Sequence, residues 1–368
     1  MMFPLAKPHI GKKEEQAVLR VLRSGVLSIG PEIQKFEKAF AKFAGTKYAC
    51  AVSSGTAGLH LSLIAAGIGK GDEVITPPFS FVASANAILY VGAVPVFADI
   101  DPVTYNIDPK EIEKKITKKT KAILVVHILG QAADMNPIMR IAKKHNLKVI
   151  EDACESIGAT YRGRKVGTFG QSAVFAFYPN KQMTTGEGGM IVTNSKKADE
   201  LFRSLRNQGR GTDRNWLSHT RLGYNYRLDE MSAALGLVQL HKIDFLIHER
   251  QKIAGWYHEF LSPFAPLVKT PAVAPSNTHT WFVYTVLLPA GTLREKVMKQ
   301  LAKAGIASKP YLPAIHLFPF YRKQFGFSRG NFRVCEQVSE RVLALPLYIG
   351  LKKGDVAYIC RTLRNILS

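Results

Sequence analysis

Between residues 45 and 200, short apolar runs alternate with amphipathic segments of helical length, and that alternation limits the chain to a few architectures. Tyr48-Ala49-Cys50-Ala51-Val52, Glu73-Val74-Ile75-Thr76, Val94-Pro95-Val96-Phe97-Ala98, Ala122-Ile123-Leu124-Val125-Val126 and Leu147-Lys148-Val149-Ile150 read as strands. Helices are expected over Thr56 to Ala66, Val82 to Tyr90 and 136–145. Strands that are continuously apolar and separated by helices imply a mostly parallel sheet covered on both faces. Ligands of such sheets bind beyond the carboxyl ends of the strands, so those ends are where chemistry is sought. Further on, Leu228 to Ile247 reads as one long amphipathic helix N-capped by Asp229, and Trp281 to Leu288 as a strand. Helices near 292–304, 331–342 and 354–366 complete a smaller α+β domain. The stretch 305–330, rich in Pro, Gly and aromatic residues, reads as a loop able to fold over a site.

The chain shows no low-complexity tract and no internal repeat. Its first residues, Met1 to Pro8, lack an apolar signal core, and no apolar run is long enough to span a bilayer, so a cytoplasmic location is expected. The four cysteines (Cys50, Cys154, Cys335, Cys360) form no C-x-x-C pair or metal-type cluster; they read as buried thiols, and no metal site is expected. A net charge of +22 favours anionic partners. The basic residues are scattered in pairs such as Lys12-Lys13 and Lys118-Lys119, without a basic helix, zinc finger or RNA-binding sheet motif. A small anionic substrate, or solubility, accounts for the charge more economically than nucleic acid.

Three strand ends carry candidate chemistry. Ser53-Ser54-Gly55-Thr56 joins a strand to a helix, where exposed N–H groups and small hydroxyls can cradle a phosphate; an ordinary Ser/Thr cap explains the turn as well. Neither a Walker A pattern nor G-x-G-x-x-G is present, so no nucleotide or dinucleotide loop is supported. Glu151-Asp152 ends a strand with two carboxylates on opposite faces, one toward the ligand side and one structural. Lys181 follows the apolar run Ala173 to Phe177 within Tyr178-Pro179-Asn180-Lys181-Gln182-Met183-Thr184-Thr185-Gly186-Glu187-Gly188-Gly189. A partly desolvated lysine there can act as a carbonyl nucleophile and proton shuttle, although an exposed turn lysine fits the segment equally well. Taken together, a lysine, a strand-end aspartate and a phosphate turn are the three groups that pyridoxal 5′-phosphate requires: one for C4′, one for the pyridine nitrogen and one for the phosphate.

On these residues the chain resembles the DegT/DnrJ/StrS family of fold-type I nucleotide-sugar aminotransferases. The likeness runs through Leu22-Arg23-Ser24-Gly25, Ser54-Gly55-Thr56-Ala57-Gly58-Leu59, Glu151-Asp152-Ala153, the Lys181 segment, Gly223-Tyr224-Asn225-Tyr226-Arg227 and Leu343-Ala344-Leu345-Pro346-Leu347. It implies a large pyridoxal-phosphate-binding domain over 1–245, with an N-terminal helical segment and a mostly parallel seven-stranded sheet between helices. A small α+β domain over 246–368 follows. It further implies that Lys181 forms the Schiff base, Asp152 meets the pyridine nitrogen, Gly55 and Thr56 bind the phosphate, and Phe81 stacks on the ring. Asn225 would reach the phosphate of a neighbouring subunit, making a homodimer with shared sites. Two departures stand out. Ala176 replaces a serine that bonds the phosphate in many members, leaving that anchor absent or supplied by Ser54. Glu155 occupies a position near the cofactor's phenolic oxygen that is often glutamine or histidine, where a carboxylate would repel a phenolate unless protonated.

The implied reaction moves an amino group from an amino acid, glutamate being the expected donor, to a nucleotide-linked keto sugar. Substrate contacts are expected in loops around Tyr311 and His316, although a packed structural histidine explains His316 more simply. Sugar dehydration is the alternative with the same cofactor, and the resemblance implies a histidine in place of Lys181 for that class. A basic regulatory or DNA-binding protein is the alternative of a different kind; it would bind DNA in a salt-sensitive way without needing Lys181.

Overall fold

The computed structural model describes residues 2–211 and 218–368. Seven strands form its main sheet: β1 (Tyr48–Val52), β2 (Glu73–Thr76), β3 (Val94–Phe97), β4 (Thr120–Val126), β5 (Lys148–Asp152), β8 (Ser172–Ala176) and β9 (Gly189–Thr193). They lie in the order β1-β9-β8-β5-β4-β2-β3. Between β5 and β8 the chain makes the two-residue strands β6 (Thr160–Tyr161) and β7 (Arg164–Lys165). Pairings among β8, β5, β4, β2 and β3 are parallel, whereas β9 runs antiparallel to both β1 and β8. The sheet is therefore mostly parallel, as its apolar runs require.

Side chains alternate along each strand, and the two sets enter different cores. Val74, Leu124, Ile150, Val174 and Ile191 join one apolar cluster, and Ile75, Ile123, Val149, Phe175 and Met190 the other. The first face is covered by α3 (Gly55–Ala65), α4 (Ala83–Tyr90) and α7 (Lys196–Arg206). The second is covered by α2 (Pro31–Ala44), α6 (Met135–Lys144) and α8 (Glu230–His241), with α1 (Lys12–Ser24) packed outside against α8. Phe36 and Phe40 of α2 are fully buried with rings 5.4 and 5.1 Å from Phe177 and Phe175. Burial of each such ring contributes about 2 kcal/mol. The short helix α5 (Pro109–Lys114) links β3 to β4.

After α9 (Ile243–Leu261) comes a second sheet, ordered β11 (Tyr284–Leu287), β13 (Val342–Leu345), β12 (Lys309–Pro310); β10 (Asn277–Thr278) pairs back with β6. Helices α10 (Arg294–Lys303), α11 (Pro319–Phe325), α12 (Arg333–Arg341) and α13 (Lys353–Leu367) accompany it. Phe282, Tyr321 and Cys335 pack into the same cluster as β4 and α3, which ties this part to the main sheet.

Three expectations are corrected. Leu228 to Ile247 is not one helix: the chain turns at Lys242 (φ −111°, ψ 14°), whose Nζ reaches the His9 carbonyl at 2.9 Å and Glu14 at 2.6 Å. The strand expected over Trp281 to Leu288 pairs only from Tyr284 to Leu287, because Trp281 takes a positive φ of 50°. The stretch 305–330 is no open loop; it holds β12 and α11, and Tyr321 is buried with its hydroxyl bonded to Asn86 at 2.7 Å. Among the described residues, no helix is long and apolar enough to cross a membrane.

Candidate active site

The carboxyl end of β5 separates its two acidic side chains as alternation demands. Glu151 points into the α2/α6 side, where its oxygens accept the N–H groups of Gly167, Phe169 and Gly170, each at 2.7 Å, and meet His127 Nε2 at 3.0 Å. That carboxylate is saturated, and its work is to hold the 167–170 turn. Asp152 points to the opposite side, beneath α4. Ser84 Oγ donates to it at 2.7 Å and the Cys154 N–H at 3.2 Å. Asp152 is buried, yet among the described residues no Lys, Arg or His pairs with it. A buried anion without a cation is costly unless a ligand brings one.

At the end of β1 the backbone turns into α3. Ser54 is extended; its Oγ accepts the Ala57 N–H and its carbonyl the Gly58 N–H, both at 3.1 Å. The N–H groups of Gly55 and Thr56 meet no acceptor among the described residues, so two donors and the positive end of the helix dipole face outward together. Glycine is needed at 55 because a Cβ there would lie 2.9 Å from both Ala176 Cβ and Cys154 Sγ.

Lys181 follows β8 in a turn closed by its own N–H on the Tyr178 carbonyl at 2.9 Å. Only 12% of its side chain is exposed, with Nζ 4.0 Å from the centroid of the Phe282 ring and 3.8 Å from Glu155 Oε1. Arg250, fully buried on α9, donates to the carbonyls of Lys181, Trp281 and Phe282 at 3.2, 3.2 and 3.3 Å, so it fixes both the lysine and the ring beneath it. Burial pushes this guanidinium down to about 10. Residues 152–155 bring the three features to one place. Asp152 heads the segment, Cys154 abuts Gly55, and Glu155 faces Lys181.

A ligand that completes this site must bring an anion to the α3 turn, a protonated nitrogen to Asp152 and a carbonyl to Lys181. Pyridoxal 5′-phosphate has all three, and the uncompensated Asp152 together with the two free N–H groups fits it. Phe81, in the turn that leads into α4, is 62% exposed, so its ring face is open to a flat ligand. Tyr311 is brought in, its hydroxyl 3.5 Å from Glu155. Asn225 lies on the exposed side, bridged to Asn207. His316 is not brought in: it is fully buried, bonded through Nε2 to Glu336 at 3.0 Å and packed on Phe332. Ser84, Arg250 and Phe282 were missed by sequence reasoning. For Ser84 and Arg250 no local signal existed, and Phe282 read as part of a strand.

The model of the DegT/DnrJ/EryC1/StrS aminotransferase family matches residues 8–364. The chain belongs to that family. Among curated relatives it is similar to the GDP-perosamine synthase of Caulobacter vibrioides, 41% identical over 366 residues, with 99% of this chain and 98% of the relative covered. Among solved structures it superposes on Helicobacter pylori PseC, an aminotransferase of pseudoaminic acid biosynthesis, with a TM-score of 0.94 at 30% identity, covering 100% and 99% of the two chains. It also superposes on S. venezuelae DesV, solved in complex with a ketimine intermediate, with a TM-score of 0.92 at 33% identity and the same coverage. The enzyme is a pyridoxal-phosphate-dependent sugar aminotransferase of the fold-type I architecture.

Proposed function

We propose that this enzyme transfers the amino group of glutamate to a GDP-linked keto sugar, with Lys181 as the carbonyl-binding lysine and proton shuttle. The observation that carries the reading is the buried Asp152 without a cation, in one segment with Glu155 beside the Lys181 amine. The GDP preference is supported by the name of the Caulobacter relative, and the basic surface suits a diphosphate-linked sugar.

When bound, pyridoxal phosphate supplies an electron sink conjugated to the reacting amine. Asp152, oriented by Ser84 and the Cys154 N–H, keeps a proton on the ring nitrogen. The Gly55 and Thr56 N–H groups bind the phosphate, helped by the Thr56 hydroxyl, while Ser54 shapes their turn. Ala176 adds no donor. Phe81 covers one face of the ring. Lys181 Nζ takes the Cα proton of the amino donor, and later the same atom delivers a proton to the sugar carbon that receives nitrogen. Its near-complete burial excludes water from that proton.

The division of labour we propose gives residues 1–245 the cofactor and 246–368 the sugar side, which Tyr311 supports by reaching Glu155 from the latter. A homodimer is supported by the exposure of Asn225 and by Leu222, which is 82% exposed nearby. A cytoplasmic location is supported by four cysteines that are all free.

Lys181→Ala should abolish turnover and the visible absorbance of the lysine-bound cofactor. Turnover is followed as transfer of 15N from labelled glutamate to a panel of nucleotide keto sugars. A nitrogen-free deoxy sugar as product would indicate dehydration instead, and a Lys181→Ala protein that keeps the absorbance band would overturn the assignment of the lysine.

A further inference from the structure

Glu155 is a buried carboxylate that the chemistry above leaves without a task. Its Oε2 accepts the Leu129 N–H at 2.9 Å, which fixes the group; its Oε1 faces Lys181 Nζ at 3.8 Å and the Tyr311 hydroxyl at 3.5 Å. The titratable neighbours are Lys181 from the turn after β8, Tyr311 from the irregular segment after β12, and Asp152 and Cys154 from its own segment. Burial pushes the Cys154 thiol and the Tyr311 hydroxyl up, which keeps both neutral. Lys181 is therefore the one cation that Glu155 meets among the described residues. At 3.8 Å the two form a charge pair without a hydrogen bond, so the amine is attracted yet free to turn. The Phe282 ring face, 4.0 Å away, lies on the same cation.

We propose that Glu155 is the counter-ion of Lys181, a positioning residue that holds the released amine as an ammonium against Phe282 and accepts its proton when the amine must act as a base. In that step one N–H bond of Lys181 breaks and one O–H bond forms at Glu155 Oε1, leaving a neutral amine and a neutral acid. The reverse transfer restores the pair, and no redox change occurs. Burial pushes the Glu155 carboxyl up while Lys181 and the Leu129 N–H pull it back, a balance suited to an oxygen that takes and returns a proton. The inference rests on the reading of Lys181 as the carbonyl-binding lysine. It goes further by giving Glu155 a partner other than the cofactor's ring oxygen.

The test uses the apoenzyme, where acetic anhydride labelling of Lys181 at pH 8 is followed by peptide mass spectrometry. Glu155→Gln keeps the shape and an acceptor for the Leu129 N–H but removes the charge; it should label Lys181 about tenfold faster than wild type. Tyr311→Phe leaves the carboxylate to the lysine alone and should label no faster than wild type. In the loaded enzyme, Glu155→Gln should lower kcat with little change in KM for the sugar. Equal labelling of wild type and Glu155→Gln, or acceleration in Tyr311→Phe, overturns the proposal. Lys181→Ala separates the two readings. Loss of the absorbance band with unchanged Glu155→Gln labelling sinks the counter-ion role alone, whereas a retained band sinks the lysine assignment beneath it.

Discussion

Replacing Gly189 by alanine tests whether the first residue of β9 sets the phosphate turn from behind. A Cβ there would lie 2.6 Å from the Ser54 carbonyl oxygen, 2.7 Å from the Ser54 carbonyl carbon and 2.8 Å from the Gly55 nitrogen. All three are main-chain atoms, so no rotamer change relieves the contact. The backbone of Gly189 has no left-handed φ, and the penalty is therefore steric alone. Overpacking of this kind costs about 2 kcal/mol. Relaxation can proceed only by moving the start of α3, which carries the two free N–H groups away from where a phosphate must sit. If the displacement falls on binding, cofactor affinity drops about 30-fold, at 1.4 kcal/mol per decade. Gly186→Ala is the control: it lies in the same segment, has a φ of +82° and open space around a Cβ. Its cost is backbone strain of about 1 kcal/mol, without pressure on α3. Absorbance titration of both apoenzymes with pyridoxal phosphate, alongside thermal melts, reads the two effects apart. Wild-type affinity in Gly189→Ala, or equal losses in both variants, would refute the reasoning.

Arg250→Met should lower stability by about 3 kcal/mol, because three buried carbonyls lose their donor, and should also weaken cofactor binding; Arg250→Lys should restore only part of both, measured by melting and titration. For Glu336, burial pushes the carboxyl up, but the N–H groups of Gly330 and Phe332 and the His316 ring outweigh it, holding the group below its ordinary 4.5. A carboxylate depressed by folding stabilises fully above its unfolded pKa and loses that contribution as pH falls through the folded one. The wild-type melting temperature should therefore fall below about pH 4.5, and Glu336→Gln should flatten that part of the curve while melting lower at pH 7.

The strand series was legible because β1, β2, β4 and β5 are apolar on both faces, a property that parallel sheets impose and the sequence displays directly. Strand β9 was not, since it opens on Gly189 directly after Gly186-Glu187-Gly188 and its antiparallel place between β1 and β8 is decided by tertiary pairing. The break at Lys242 carries no glycine or proline; it comes from side-chain contacts to His9 and Glu14, more than 220 residues earlier. In the site, Lys181, Asp152 and the Gly55 turn stood out because each ends a recognisable strand. Phe282 and Arg250 did not, because the fold alone brings them to Lys181, and an arginine or phenylalanine has no chemistry that marks it in isolation. His316 carried the opposite hazard, a reactive side chain whose environment is packing.

The adjacent pair Glu151 and Asp152 has a consequence for how such a site can vary. One residue of strand advance converts an anion with four partners into one awaiting a cation, so β5 acts as a two-position selector between anchoring a turn and receiving a ligand. Insertion or deletion of a single residue in β5 would therefore not weaken the site gradually. It would exchange the two carboxylates, leaving four buried donors facing the shorter side chain and the ligand facing the longer one. Length in this strand is thus under tighter constraint than composition, and the acidic pair can change only together with the turn at 167–170.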